Sequence, residues 1–200
     1  MNLRHWQGIG LLSIGITLGG CATPPAQFYS LSALPEAGQR EAPLTRNGPS
    51  LGIGPFQFPE YLDQPQLVVR QGKNRLQIDE FHRWGDVLPE AFPRILGENL
   101  AHLLHSPRIL VYPEEDRFPV ALQLVGSLLH FEGTVDGKAV LRVRWALLAR
   151  DKPEPLLVRE STYTSRIQGQ DRAALVQAMS QNLGKFSQEV AQAIRSQSGT

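Results

Sequence analysis

Cys21 carries the most reactive side chain in this 200-residue sequence and is its only cysteine. Gly19 and Gly20 precede it, and residues this small let the backbone lie extended in a peptidase cleft. An apolar run over residues 9–18 comes before them, behind a short start that carries one arginine. Such a run has the length of the core of an export signal and is too short to span a bilayer. The pattern predicts a signal peptide over residues 1–20 and a mature chain that begins at Cys21.

A thiol at this position is the nucleophile that accepts a diacylglyceryl group, and Leu18-Gly19-Gly20-Cys21 resembles a bacterial lipobox. An ordinary secretory signal or a short membrane anchor are the alternatives, but an incidental cysteine would rarely fall at this one position. Acyl chains on Cys21 would hold the protein to a membrane with about 0.8 kcal/mol for each buried CH₂ group. The next residue is Ala22 rather than aspartate. In bacteria that sort lipoproteins by this position, that implies a lipid anchor in the outer membrane, on its periplasmic face.

The composition narrows the classes of function for the mature chain. Removal of residues 1–20 takes away one arginine and leaves 19 basic against 19 acidic residues. This balance argues against nucleic acid as a partner, because a basic excess is the electrostatic footprint of nucleic-acid binding. In addition, no second apolar run in the sequence reaches the length of a membrane span. The sequence therefore predicts one compact domain that is held to a membrane by a lipid. Residues 21–50 would form the tether, a short first strand and a polar loop, and residues 51–196 would form the domain.

Three side chains have the spacing of a metal site on a helix, namely Glu98, His102 and His105. They lie opposite the leucines of that helix, so a plain exposed face is the expectation. The sequence gives no other reason to expect a metal or an organic cofactor.

Catalytic arrangements are also missing. Asp79 and Glu80 are adjacent and would point to opposite sides of a strand, so they make a poor acid–base pair. The mature chain contains no Gly-x-Ser-x-Gly motif, the sequence of the nucleophile elbow in α/β-hydrolases. The sequence predicts a protein that is not an enzyme.

Two further groups of residues have more than one interpretation. His82, Arg83 and Trp84 could form a polar site, but Trp84 is expected to be a core anchor. Arg142 and Arg144 share one strand face, with Arg159 on a later strand, and could meet anionic lipid or a protein partner; a solvated strand face is the alternative that we favour.

Two stretches have the 3.6-residue periodicity of amphipathic helices. The first follows Asp86, a predicted N-cap, and has Pro89 in its first turn, while Pro93 predicts a kink or a later start. The second follows Asp171, a predicted cap. The apolar face of the second helix suits either the domain core or a partner helix, and the core is expected because coiled coils usually sustain more heptads. The two apolar faces comprise Phe92, Ile95, Leu96, Leu100, Leu103 and Leu104 in the first helix, and Val176, Met179, Leu183, Phe186 and Val190 in the second.

The remaining pattern predicts strands. Residues 120–131 are apolar on both faces, which indicates a central strand, and Asp136-Gly137 is a hairpin turn signal. In the returning strand Leu141, Val143, Trp145 and Leu147 would point to one side and the two arginines to the other. Other strands are expected at residues 28–31, 51–56 (ended by Pro55 and Pro59), 67–70, 75–79, 108–112 and 156–167. The order of strands, helix, four strands and helix predicts an α/β composition of the α+β type, with a single mixed, mainly antiparallel sheet and two packed helices.

Several motifs together resemble a known family. Pro-Pro-Ala-Gln-Phe-Tyr-Ser-Leu follows the lipobox, and Ile53-Gly54-Pro55 comes next. Then follow Pro59-Glu60-Tyr61-Leu62-Asp63-Gln64-Pro65-Gln66-Leu67-Val68-Val69-Arg70, Phe81-His82-Arg83-Trp84-Gly85-Asp86 and Glu98-Asn99-Leu100-Ala101. This set resembles the ABC-type transport auxiliary lipoproteins, the family of the paraquat-inducible lipoprotein PqiC.

The resemblance implies a non-enzymatic outer-membrane component of a system with MCE proteins, which carry lipids between membranes. The lipoprotein would dock the far end of a periplasmic conduit to the outer membrane, as a ring of several copies. Tyr61, Leu62, Arg70 and Trp84 would shape the domain or its contact surface. Two other functions stay open: a stand-alone periplasmic lipid carrier, which predicts an apolar cavity, and a hydrolase of envelope polymer, which lacks its motifs.

Overall fold

The computed structural model describes residues 24–34, 48–112 and 119–198. The predicted signal peptide, the lipidation site at Cys21 and most of the polar loop lie outside these residues. The order of elements is the predicted one. The elements are β1 (Gln27–Tyr29), β2 (Leu51–Gln57), a 3₁₀ turn (Glu60–Leu62), β3 (Gln66–Arg70), β4 (Leu76–Trp84), α1 (Leu88–Leu104), β5 (Ile109–Val111), β6 (Leu122–Thr134), β7 (Lys138–Ala149), β8 (Leu157–Arg166) and α2 (Arg172–Ser198).

The strands form one mixed sheet around β6, the predicted central strand. On one side β6 pairs antiparallel with β7 along its whole length, and β7 pairs antiparallel with β8. On its other side the first half of β6 pairs parallel with β2, and its last residues pair parallel with β3. β5 flanks β2, while β4 and then β1 extend the sheet beyond β3. The predicted mixed sheet is confirmed, and the two longest ladders are antiparallel.

Both helices pack on one face of this sheet and bury their apolar stripes, as predicted. From β7 the alternating Leu141, Val143, Trp145 and Leu147 point toward the helices and are at most 1% exposed. Aromatic rings fill the middle of the core: Phe92 of α1 lies 5.5 Å from Phe131 of β6 and 6.3 Å from Phe186 of α2, measured between ring centroids. None of the helices in the described part of the chain, including the 27-residue α2, has an apolar stretch that could cross a membrane.

Two local predictions are confirmed in detail. Gly137 adopts a φ of 75° in the β6–β7 hairpin, a conformation that glycine reaches without a steric cost. The Asp171 carboxylate accepts a hydrogen bond of 2.8 Å from the backbone N–H of Ala174 and so caps α2.

The end of β2 differs from the prediction. Pro55 lies inside this strand, which continues to Gln57. The register between β2 and β6 shifts between Ile53 and Phe56, and a proline is tolerated at such an irregularity because no ladder hydrogen bond is required of its nitrogen. Gly54 precedes it with a φ of 108°, and a Cβ there would meet the Cβ of Tyr112 at 2.9 Å.

The start of α1 also differs. Asp86 is not its N-cap: the helix begins at Leu88 after Val87, without a capping side chain, and the Asp86 carboxylate instead accepts a 2.7 Å hydrogen bond from Arg94. Pro93 does not delay the start either, since it lies within the helix. A proline inside a helix costs about 3 kcal/mol. Burial of the surrounding apolar face, led by the fully buried Phe92, offsets that loss.

Candidate functional site: a buried carboxylate cluster

The segment over residues 59–65 is fastened at both of its ends. The backbone N–H of Leu62 donates to the Pro59 carbonyl at 2.9 Å, which closes the 3₁₀ turn. The Gln64 side-chain amide donates to the Tyr61 carbonyl at 2.8 Å. At the far end the backbone N–H of Trp84 donates to the Pro65 carbonyl at 2.6 Å. The turn therefore holds the Tyr61 side chain in one place beside the sheet.

Glu132 of β6 lies at the centre of a polar cluster and is 1% exposed. One carboxylate oxygen, Oε1, accepts from Nε of Arg70 at 2.6 Å and lies 2.9 Å from Nδ1 of His130. The other oxygen, Oε2, accepts from the Tyr61 hydroxyl at 3.0 Å and from the backbone N–H of Phe131 at 2.7 Å. We call Tyr61, Arg70, His130 and Glu132 the Glu132 cluster. A buried charge requires such partners, because desolvation of an unpaired carboxylate is costly.

The cluster joins three elements that are distant in the sequence. Arg70 ends β3, Tyr61 lies in the 3₁₀ turn, and Glu132 lies near the end of β6. The Arg70 guanidinium carbon also lies 5.6 Å from the centroid of the Tyr61 ring, within the range of a cation–π contact. Both carboxylate oxygens are occupied, so the arrangement supports rigid positioning of the turn on the sheet better than proton transfer.

Four residues were singled out in the sequence, and they differ in burial: two are half-buried and two belong to the core. Tyr61 and Arg70 meet through Glu132 at the half-buried edge of the domain. Leu62 and Trp84 are 1% and 4% exposed and belong to the hydrophobic core. Trp84 is thus the core anchor that the sequence predicted, while His82 beside it bonds the Tyr29 hydroxyl at 2.7 Å through Nδ1.

Sequence reasoning missed Glu132 and His130, the other half of the cluster. No pattern in the sequence singled them out: β6 also contains Gln123, Ser127 and Thr134, and Glu132 lies one residue beyond the predicted end of the strand. A buried carboxylate in such a strand implies a basic partner, but the partner lies 62 positions earlier in the chain. Only the parallel pairing of β3 with β6 brings the two residues together.

The other candidate groups do not assemble into sites. Within residues 24–34, 48–112 and 119–198 no three metal-ligating side chains converge, and Glu98, on the helix face that was expected to be exposed, pairs with Arg94 at 3.4 Å. Arg142 and Arg144 do share the sheet face away from the helices, where both donate hydrogen bonds to Glu160. These hydrogen bonds lower the pKa of the Glu160 carboxyl, and the bond from Arg142 has the largest effect.

Two tyrosines that bond buried or half-buried carboxylates have raised pKa values. Burial, followed by the charge of Glu132, raises the pKa of Tyr61 well above its usual value of 10.0. Burial, followed by the hydrogen bond that its hydroxyl donates to Glu189 of α2, raises the pKa of Tyr163 in the same direction. Each phenol stays neutral in the folded protein at a pH at which it would ionise in the unfolded chain.

These shifts predict a loss of stability in alkaline solution. A raised folded pKa contributes stability that is fully present below the unfolded value of 10 and is lost as the pH rises through the folded value. The free energy of unfolding should fall above pH 10 by up to about 1.4 kcal/mol per pH unit for each tyrosine. Denaturant titrations across this range should show the slope reduced in Tyr61→Phe and in Tyr163→Phe. Tyr112→Phe, which removes an exposed phenol, is the control, and an equal reduction in that variant would contradict the assignment.

The fold and the Glu132 cluster define an α+β domain in which the turn over residues 59–65 is fastened to the central strand β6. A family model described as the ABC-type transport auxiliary lipoprotein component matches residues 29–191. The chain belongs to this family, as its motifs indicated. No match was found among curated proteins.

Two solved structures share the fold. One is the crystal structure of an uncharacterized protein, which is 19% identical with a TM-score of 0.68 and covers 86% of this chain and 99% of its own. The other is a protein from Xanthomonas campestris assigned to the DUF330 family, which is 16% identical with a TM-score of 0.70 and covers 88% of this chain and 100% of its own. At these identities the similarity establishes the fold alone.

Proposed function

We propose that this lipoprotein is the outer-membrane docking component of an intermembrane lipid-transport system, and that its partner is an MCE-type periplasmic protein of an ABC-type transporter. The observation that carries the proposal is membership of the auxiliary lipoprotein family over residues 29–191. The lipobox at Cys21 supports the anchor, and Ala22 supports outer-membrane delivery. Docking as a ring of several copies is part of the same proposal.

The packing of the domain favours a docking role over an enzymatic one. The most buried carboxylate, Glu132, accepts bonds on both oxygens and holds a turn against the sheet. A general acid or base needs instead a carboxyl group that reaches a substrate. A turn held in this way supports a role in which the domain presents a fixed surface to a partner.

The same packing supports docking over the alternative of a stand-alone lipid carrier. A carrier needs an apolar cavity for acyl chains. Between the sheet and the helices, however, the space is filled by rings: Phe186 lies 5.8 Å from Trp145, and Phe92 lies 5.5 Å from Phe56. A surface groove of about 300 Å³ near the start of α2 has a mixed lining that includes Asp171 and Arg172. Within the described residues, neither of these two features suits a carried lipid.

Replacement of Cys21 tests the anchor. In Cys21→Ala the acceptor thiol is lost, so the protein should move from the outer-membrane fraction to the soluble periplasmic fraction. Ala22→Asp is the matched variant: it keeps the thiol and changes the sorting position, so the protein should stay membrane-bound but shift to the inner membrane. Density-gradient fractionation with immunodetection distinguishes the three locations. Recovery of Cys21→Ala in the outer membrane would refute the anchor.

Crosslinking in intact cells tests the partner. The tagged lipoprotein is crosslinked, purified and analysed by mass spectrometry, with Cys21→Ala as the control for capture that depends on location. Capture of an MCE-type protein by the wild type supports docking, and crosslinked multiples of the lipoprotein support a ring. Capture of porins and peptidoglycan neighbours alone would overturn the docking proposal in favour of the carrier.

A further inference from the structure

Large apolar side chains are exposed along one edge of the sheet. Phe28 of β1 is 67% exposed, and Ile78 and Phe81 of the neighbouring β4 are 49% and 39% exposed. β1 pairs with β4 only from His82 to Trp84, so the outer edge of β4 has no strand partner along its earlier residues within the described chain. Three large apolar side chains exposed on two neighbouring strands form a candidate contact surface. We call Phe28, Ile78 and Phe81 the edge patch.

The lipid attachment site lies next to this patch in the chain. Phe28 follows Cys21 by seven positions, and a fully extended chain of that length spans at most about 25 Å. A compact domain of this size has a radius of gyration of about 16 Å and is therefore about 40 Å across. Pro24 and Pro25 restrict the intervening tether further. An acyl anchor at Cys21 must hold the β1 end of the sheet nearer to the bilayer than the opposite edge at β8.

Three basic side chains lie around the edge patch, together with the exposed carboxylate of Glu80 on β4. Lys73 and Arg75 lie in the turn between β3 and β4, and Arg83 lies on β4 beside Phe28. None of the three forms an ion pair with a carboxylate in the described part of the chain, whereas Asp79 of β4 is neutralised by Arg172 at 2.8 Å. Basic side chains next to aromatic ones are the composition that binds the headgroup region of a bilayer.

From the position of the tether, the exposure of the patch and its charge, we propose that the β1–β4 edge is a membrane-contact surface, which seats Phe28 and Phe81 in the headgroup region and directs the basic side chains to lipid phosphates. This inference rests on the proposed anchor at Cys21. It adds that the domain lies on the bilayer in one orientation, with β8 on the far side and free for a periplasmic partner.

Tryptophan placed in the patch tests the contact directly. The lipidated mature protein is reconstituted into vesicles of phosphatidylethanolamine and phosphatidylglycerol, with ordinary or brominated acyl chains. The variants are Phe28→Trp and Phe81→Trp, and the matched control is Val158→Trp on β8, where the valine is 61% exposed. The native Trp84 and Trp145 are buried and supply the background. The fluorescence emission of tryptophan at positions 28 and 81 should shift to shorter wavelength when the protein binds vesicles, and brominated acyl chains should quench it. The emission of tryptophan at position 158 should show neither change.

Flotation of the same vesicles separates this proposal from the anchor on which it rests. If Phe81→Trp floats with the vesicles but brominated lipid does not quench its emission, the membrane-contact surface is overturned and the anchor is left intact. A blue shift without quenching by brominated lipid also overturns it, in favour of contact with a second copy. Protein that does not float refutes the anchor and the contact surface together. Quenching at position 28 alone reports only the tether and counts against a seated domain.

Discussion

Arg70→Met is expected to reduce the free energy of unfolding by about 3–5 kcal/mol, because it leaves the Glu132 carboxylate buried without its cation. The Glu132 side chain is 1% exposed and Arg70 is 21% exposed, so the carboxylate depends on the guanidinium rather than on bulk water for its compensating charge. The Tyr61 hydroxyl, the Phe131 N–H and His130 Nδ1 would remain in contact with the carboxylate, but none of them supplies the permanent charge of a guanidinium. Equilibrium unfolding in denaturant measures the loss as a lower midpoint.

Two further variants make this prediction specific. Arg142→Met removes an arginine from an exposed pair with Glu160, and exposed pairs contribute only about 0–1 kcal/mol. The double variant Arg70→Met/Glu132→Gln removes both charges and should recover part of the loss, because the uncompensated buried charge is gone. Equal losses in Arg70→Met and Arg142→Met would show that the Glu132 cluster does not fasten the turn to the sheet.

Phe92→Ala is expected to destabilise the protein by about 3–5 kcal/mol, the usual cost of truncating a buried phenylalanine. Phe92 is fully buried, and its ring contacts Phe56, Phe58, Phe131 and Phe186, which come from β2, the segment after it, β6 and α2. Truncation would open a cavity among four parts of the chain at once. Thermal unfolding should show a decrease in Tm of roughly 10 °C for a domain of this size.

Controls separate the cavity from the loss of a phenyl ring as such. Phe28→Ala removes an exposed ring and should change stability by no more than about 0.5 kcal/mol. Phe92→Leu keeps most of the buried volume and should lose clearly less than Phe92→Ala. A small effect of Phe92→Ala would mean that the aromatic core repacks, and would remove an argument against a lipid-binding interior.

Predictions from the sequence succeeded where neighbouring residues decide the structure. Alternation identified the inward face of β7, including Trp145, and the Asp136-Gly137 pair identified its hairpin. The sequence was misleading around α1, where Asp86 and Pro93 have local preferences for a cap and a break. Tertiary packing of Phe92 and its neighbours outweighed both preferences, since burial of an apolar face contributes more than a cap or one backbone hydrogen bond.

In the Glu132 cluster, too, some residues could be identified from the sequence and others only from the structure. The sequence marked Tyr61 and Arg70 through the motif that contains them, but offered no means of finding their common partner. Strand pairing over 62 positions depends on how the whole sheet closes, and no local periodicity encodes it.

The sequence by itself determined the order of the elements, the inward faces of α2 and β7, the family, and the prediction of a lipid anchor at Cys21. Each of these depends on residues close together in the chain, such as a repeat of 2 or 3.6 residues or a short motif. Only the tertiary structure decided that β6 is flanked by both β2 and β3, that Glu132 binds Tyr61 and Arg70, and that large apolar side chains are exposed on β1 and β4. These features depend on contacts between distant residues, which form when the sheet and helices bury a common core.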